Sequence, residues 1–566
     1  MVPRARWRNA LLALGAFALL WIWLLVRLYD KDVWFHMLIG RVVLSRGSLP
    51  TEEFYKYPLL GHPAGFHEWG FGLLSELAHR AGGWFGLAAL NAAVSAAAVL
   101  LVGAAARRRG ASRTAVLLLL GPLALAASYR FQYRPETMLY LALGATLWAL
   151  EANRLYLLPV FTFGLALFHP SPLILVLVSG ARALDLAVAE RRLSRRVLSA
   201  AGFVALSALA VGLAPYGFHQ LTLPLEFYRR GDLTRVIAEF APALQTEYRY
   251  HVVGVALAAV LGLAFDRRRR VSDLLLLGLF GYLAFAHVRN GPLFALLAFG
   301  PAAVAATRAL DRLPAAAGAA AAALALAAVT GVFVRSSEWG WRPYPDIFPS
   351  ATADFILRHR PSGRLLNDMR SGGYLAWRLY PDYLVSVDGR TYYGQDLAME
   401  VSDRVLGAEP GWRETVERYG VSMVATSPVN FMSGALPRVV FELDRDPAWM
   451  PVVADVTGLL FVRRSALPGA LALPRERVWS LVRYLAGELA EVLPRSPEVY
   501  LTQGTASFRL HDFARAAKDF ARYCELAPGD RETAALAQKL AAAAAGDRAA
   551  LLFAEALFAQ SGAPGP

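Results

Sequence analysis

The chain has 566 residues, 56% of them hydrophobic, with a mean hydropathy of +0.39, a net charge of +14 and a pI of about 9.9. So many long Leu/Ala/Val runs exclude an ordinary soluble protein of this size. The basic excess flanks those runs, which makes it a topology signal and not a nucleic-acid footprint, and the single cysteine, Cys524, excludes an intramolecular disulfide and a Cys-rich zinc site.

The first apolar run, Leu11 to Leu28, follows Arg4, Arg6 and Arg8. It leads into Tyr29-Asp30-Lys31-Asp32 instead of a small-residue cleavage site, so it reads as an uncleaved anchor helix. Eleven spans are predicted, near residues 10–28, 83–106, 114–129, 136–151, 154–168, 170–184, 197–215, 251–265, 271–286, 291–307 and 314–334. Basic clusters at Arg107/Arg108/Arg109/Arg113, Arg154, Arg191/Arg192/Arg195/Arg196, Arg267 to Arg270 and Arg308/Arg312 all fall at connections which this count places in the cytoplasm. A cytoplasmic N-terminus and eleven spans put everything after about residue 335 outside.

The outward connections carry the unusual polar residues. The first, 29–82, holds Asp30, Asp32, Trp34, His36, Gly40 and Arg41, then Gly61 to Trp69 with His67 and Glu68. Asp30 and Asp32 share a face if the chain is extended there, and can hold a divalent cation such as Mg or Mn, or supply a base. If a helix starts at Asp32, that residue caps it and His36 lies one turn on. Glu68 beside His67 can serve as a ligand pair, a proton relay or a surface pair. Later outward loops bring Tyr129 to Glu136, Phe168-His169-Pro170, Pro215 to His219 and His287 to Pro292. Each carries a proline, so a helix is expected to end there and leave backbone groups that need partners. Arg134, His169 and Arg289 face outward, against the charge rule; an arginine fork suits phosphate oxygens, and snorkelling to headgroups is the plainer reading.

After Arg335 short β-like runs (364–367, 383–387, 422–426, 452–455 and 459–462) alternate with helix-like 351–360 and 412–419, which reads as a small α/β domain. The tail is Ala/Leu/Arg-rich and helical. Pro497 to Asp530 fits one tetratricopeptide unit, with Gly504, Ala516, Phe520 and Pro528 at its small and aromatic positions; a plain helical hairpin is the alternative. The expected organisation is a polytopic α-helical membrane domain over 1–334, an extracytoplasmic α/β domain over 335–470 and a tetratricopeptide-like helical tail over 475–566.

The series Asp30-x-Asp32-x-Trp34-x-His36, Gly40, Gly47, Pro50, Phe54, Gly61 and Glu68-Trp69 resembles the first extracytoplasmic loop of bacterial membrane proteins with the GT-C glycosyltransferase fold. These are distantly similar to protein mannosyltransferases and oligosaccharyltransferases. The resemblance continues through Arg134-Pro135, His169, Pro215-Tyr216-Gly217, Glu239 and Arg289-Asn290-x-Pro292, then Gly372 to Leu375, Val387-Asp388-Gly389-Arg390 and Tyr393-Gly394. It implies a bacterial inner-membrane transferase acting on a polyprenyl-phosphate-linked sugar, in the lipid bilayer, with a glycan, lipid or protein acceptor on the outer face and no nucleic-acid partner. Asp30 or Asp32 would then be the catalytic or metal-binding carboxylate, with His36 and Glu68 beside it. Arg134, His169 and Arg289 would stabilise the lipid phosphate as it leaves, an assignment that rests on topology and charge; Asn290 is a further candidate substrate-binding residue, and inversion at the sugar carbon is expected. Lys31 can pair with either aspartate, which counts against a clean metal site. Arg390 either pairs with an acid at a structural Asp-Gly turn or reaches, with Tyr392/Tyr393, over the site for acceptor recognition. Two other readings compete: a membrane scaffold whose tail recruits a protein partner, and a transporter of lipid-linked glycans.

Overall fold

The computed structural model describes residues 2–229, 238–266, 270–312, 314–336, 338–344, 347–390, 395–469 and 472–561. Arg267 to Arg269 of one basic cluster, and Tyr392, Tyr393 and Gly394, lie outside them. The chain divides into two units, Met1–Leu49 with Phe66–Tyr344, and Pro50–Gly65 with Pro345–Pro566. The middle of the first loop therefore belongs with the second unit.

The first unit is built of helices. By length and composition, three among the described residues can cross a membrane: Trp69–Arg109, Val288–Leu310 and Ala316–Arg335. Shorter apolar helices accompany them at Ala10–Trp23, Arg113–Ser128, Leu155–Phe168, Arg249–Phe265 and Val271–Ala286. The first helix stops at Trp23, five residues before the end of its apolar run. Val26 instead bridges antiparallel to Trp339, and Arg27 N donates to Glu338 O at 2.7 Å, so strand-like pairing satisfies the backbone there.

The helix Trp69–Arg109 begins well before the span expected at 83 and bends at Gly82 and Gly83, where Gly83 takes φ +56°. Its first turns cross the helix Val33–Arg46 closely. A Cβ on Gly40 would sit 2.2 Å from Gly72 O, and one on Gly72 would sit 2.2 Å from His36 O. Only glycines allow two backbones so near, and the crossing fixes the short helix that follows Asp32. Elsewhere the helix Leu158–Phe168 ends, as expected, ahead of Pro170, with His169 extended at φ −153°.

The second unit holds a four-stranded sheet in the order β1-β2-β4-β3, with β1 Arg364–Asn367, β2 Val421–Thr426, β3 Trp449–Asp455 and β4 Gly458–Arg463. β1 runs parallel to β2; the other pairs are antiparallel, with Val424 opposite Phe461 and Met450 opposite Val462. All six residues of β2 are buried, as a strand covered on both faces requires. The run 383–387, expected as a strand, contributes one isolated bridge, Val385 to Lys56. Its Ser386 pairs with a side chain instead: Ser386 N donates to Asn367 Oδ1 at 2.9 Å and Asn367 N to Ser386 Oγ at 3.0 Å.

Five helices close the chain, from Arg475–Val492 to Arg548–Ser561. They share one core with the sheet: Val478, Trp479, Phe520 and Phe558 are buried in the same cluster as Val424, Phe441 and Phe461. Asp444, also buried, accepts from Trp479 Nε1 at 3.0 Å and pairs with Arg475 and Arg509. Within the hairpin of Pro497–Arg509 and Phe513–Leu526, a Cβ on Gly504 would lie 2.5 Å from the Phe520 ring.

Candidate functional site

Five separate connections of the first unit converge on one ionic cluster. Asp30 and Asp32 come from the segment after the first helix; Arg130 and Arg134 from the loop before the helix Glu136–Glu151, and Glu136 from its first position; His169 from the end of Leu158–Phe168. Glu239 lies on the short turn Ala238–Phe240 and Arg289 on the turn Val288–Asn290. The loops are pinned by hydrogen bonds between them. Tyr133 OH donates to Val26 O at 2.7 Å, Asn91 Nδ2 to Phe131 O at 2.9 Å, Tyr129 OH to Val288 O at 2.8 Å, and Val288 N to Ala241 O at 3.1 Å.

Arg134 is the hub. Its Nε meets Asp30 Oδ2, its Nη1 meets Glu239 Oε1, and its Nη2 lies 3.3 Å from Asp32 Oδ2. Arg130 shares Glu239 at 2.8 Å and takes Glu136 Oε1 at 2.7 Å, and Arg289 Nη2 reaches the same Glu136 oxygen at 3.0 Å. Burial of Glu239 is outweighed by Arg130 and Arg134, which hold its carboxyl down at about 2.

The two aspartates differ. The Asp30 side chain is 1% exposed and both its oxygens are occupied, since Oδ1 accepts Asp32 N at 2.8 Å. The Asp32 side chain is 31% exposed and meets Arg134 through one oxygen. Asp32 precedes the helix Val33–Arg46 but does not cap it with its side chain, and that leaves the carboxylate turned to the cluster. Burial pushes Asp32 up to about 7 against the pull of Arg134, with Asp30 and Glu239 adding to the rise. As arranged, this oxygen set does not fit a divalent cation, because Asp30 and Glu239 point at guanidinium nitrogens. Among the described residues no group of three His, Cys, Asp or Glu is placed to hold a metal.

His169 is buried with Glu136, Arg289 and Arg130 around it. Its Nδ1 has no hydrogen-bond partner among the described residues. Burial lowers it to about 4, so its imidazole is neutral near pH 7. Arg289 also lies over the Phe240 ring at 4.8 Å. Asn290 is buried and donates from Nδ2 to Leu283 O at 3.2 Å, which secures the end of the preceding helix. His36 sits one turn into its helix with its ring edge-on to Phe71 at 5.3 Å, in the close helix crossing. Glu68 precedes the helix Trp69–Arg109, and its backbone oxygen accepts from Gly72 N at 3.0 Å. The ring of neighbouring His67 lies tilted at 50° to that of Tyr216, centroids 4.2 Å apart.

Arg390 lies in the second unit, buried in a cluster of its own. Asp388 Oδ2 accepts from Arg390 Nε at 3.1 Å and from Tyr55 OH, while Asp388 Oδ1 meets Lys56 Nζ at 3.2 Å. Glu53 pairs with Arg390 and, at 3.5 Å, with Lys56. Two carboxylates and two cations thus neutralise each other, and residues 53–56 are fastened to the Asp-Gly turn.

At the other end of the first unit's helices lies a third group. Arg109 joins Asp266 and Asp273, both at 2.7 Å; Arg270 joins Glu151 at 3.1 Å; Ser272 N donates to Asp185 at 2.8 Å. Glu151 ends the helix that Glu136 begins, so the two groups are roughly 22 Å apart at 1.5 Å per residue.

No protein-family model matches the sequence, nor does any curated protein. Several solved structures share the fold, three of them of one archaeal enzyme. One is the oligosaccharyltransferase AglB of Archaeoglobus fulgidus in complex with an inhibitory peptide and a dolichol-phosphate, at 13% identity and TM-score 0.54, matched over 84% of this chain and 77% of that one. The others are the Archaeoglobus fulgidus oligosaccharyltransferase in its apo form (13%, TM-score 0.53) and tethered to an acceptor peptide by a disulfide bond (14%, TM-score 0.50), each matched over 74% of this chain and 69% of that one. The fold is oligosaccharyltransferase-like. At these identities the likeness is one of fold, extending to both units of the chain, and the oligosaccharyltransferase-like frame leaves the chemistry to the residues themselves.

Proposed function

We propose that the protein is a membrane glycosyltransferase which moves a sugar from a polyprenyl-phosphate carrier to an acceptor on the outer face of a cytoplasmic membrane. The convergence of five connections on the ionic cluster around Arg134 carries this reading. The oligosaccharyltransferase-like fold supports it, since a protein of that fold has been solved with a dolichol-phosphate and a peptide.

In this reading Asp32 is the base, because its carboxylate is partly exposed while that of Asp30 is enclosed. Asp32 takes the acceptor's hydroxyl proton as that oxygen attacks the sugar carbon. The bond from that carbon to the phosphate oxygen breaks, and polyprenyl phosphate leaves with the bonding electrons. Base and leaving group lie on opposite faces, so the anomeric centre inverts. Arg289, with one ion pair among the described residues and an aromatic ring beneath it, receives the leaving phosphate, and neutral His169 lies beside it. Arg134 keeps Asp30 and Glu239 in place and does not need to touch the substrate.

The test is release of polyprenyl phosphate from polyprenyl-phosphate sugars by the purified chain in detergent with mixed acceptors. Release in step with sugar transfer supports the reading. Absence of both with every donor, in protein that is folded and monodisperse, turns the account to the scaffold reading, which the complete ion pairing of Asp30 favours.

A further inference from the structure

Two carboxylates spaced as Asp30 and Asp32 invite a divalent cation, and Glu239 would add a third acid. Each of the three instead meets a different nitrogen of one guanidinium: Asp30 at Nε, Glu239 at Nη1 and Asp32 at Nη2. A guanidinium stays protonated at any physiological pH and presents its donors in a rigid planar fork, so it can serve several acids at once without moving.

The arginine is also set in place before any ligand arrives. Arg134 N donates to Gln132 O at 2.7 Å, Gln132 Nε2 to Tyr129 O at 2.7 Å, and Pro135 follows directly. Glu239 is shared with Arg130, so a swing of Arg134 away from it would also disturb the neighbouring pair. A cation needs six or so oxygens close about it, whereas Asp30 has none to spare, its second oxygen being held by Asp32 N.

We infer that the Arg134 guanidinium takes the place of a divalent cation between Asp30, Asp32 and Glu239, whether or not the cluster transfers a sugar. The positive charge of this site is part of the chain and is not lost to chelators. With the guanidinium removed, the three acids, which are not placed to hold a metal as they stand, are free to close around one.

The test is a Mn2+ titration followed by electron paramagnetic resonance on the full-length chain in detergent. Wild type should show no saturable Mn2+ binding, Arg134→Ser should bind Mn2+ stoichiometrically, and adding Asp30→Asn should abolish that binding. Arg134→Gln, uncharged but of similar reach, replaces Arg134→Ser if the latter is not monodisperse. Saturable binding in wild type that is lost in Asp30→Asn overturns the inference. So does failure of a folded Arg134 variant to gain binding. Neither readout needs transferase activity, so the titration stands or falls separately from the proposed reaction.

Discussion

Arg289 Nη2 donates to Glu136 Oε1 at 3.0 Å, joining the turn before the helix Gly291–Leu310 to the first residue of the helix Glu136–Glu151. Glu136 keeps Arg130 even without this bond, so Arg289 contributes little to holding the helices together.

Arg289→Ala is therefore expected to leave thermal stability nearly unchanged, since a partly exposed single pair is worth about 1 kcal/mol or less. It should weaken use of a lipid-phosphate donor, raising KM about tenfold for a loss of ~1.4 kcal/mol. Steady-state kinetics beside a melting curve separates the two effects. A large fall in melting temperature with KM unchanged would assign Arg289 to the scaffold.

Asp388 makes the second unit sensitive to acid. Burial pushes its carboxyl up, but Lys56 and Arg390, with the Tyr55 hydroxyl, outweigh this and hold it at about 2. The folded value lies below the ordinary 3.8, so this stability is present above about pH 4 and drains away as pH falls towards 2. A shift of nearly two units corresponds to ~2 kcal/mol. Asp388→Asn should lose about 3 kcal/mol at neutral pH, because it leaves Lys56 and Arg390 buried with Glu53 alone. It should also flatten the acid limb of a stability–pH curve measured by denaturant unfolding.

Gly504 faces the Phe520 ring across the tail hairpin with no room for a methyl group. Gly504→Ala should cost about 1–3 kcal/mol by overpacking, more than the helix propensity of alanine returns. Limited proteolysis should show the tail cut earlier than in wild type. Gly529→Ala, where a Cβ meets nothing within 4 Å, is the matched control.

The ionic cluster around Arg134 is partly legible in the sequence because the expected topology gathers what chain order separates. Counting apolar runs placed Asp30, Arg134, His169 and Arg289 on one side, and their loops do meet. Arg130 and Glu136 carry no sequence signal of their role, since nothing local says that a carboxylate just after Pro135 will hold two arginines. Arg109 and Arg270 read as flanking charge, and their pairing with Asp266, Asp273 and Glu151 has no local signature. The strands 421–426 and 458–463 announce themselves by β-branched and aromatic runs. Tyr383 to Val387 looks the same, yet its polar Ser386 is claimed by Asn367, a tertiary bond that no propensity anticipates. The early stop at Trp23 has the same origin, in pairing with residues more than three hundred positions away.

Transfer of radiolabelled sugar from polyprenyl-phosphate donors, in membranes holding equal amounts of wild type, Asp32→Asn and Asp30→Asn, tests the central claim most directly. The account predicts that Asp32→Asn abolishes transfer in protein that still folds, while Asp30→Asn keeps part of it at lower stability. Wild-type transfer by Asp32→Asn would contradict the account and move the chemistry away from this cluster.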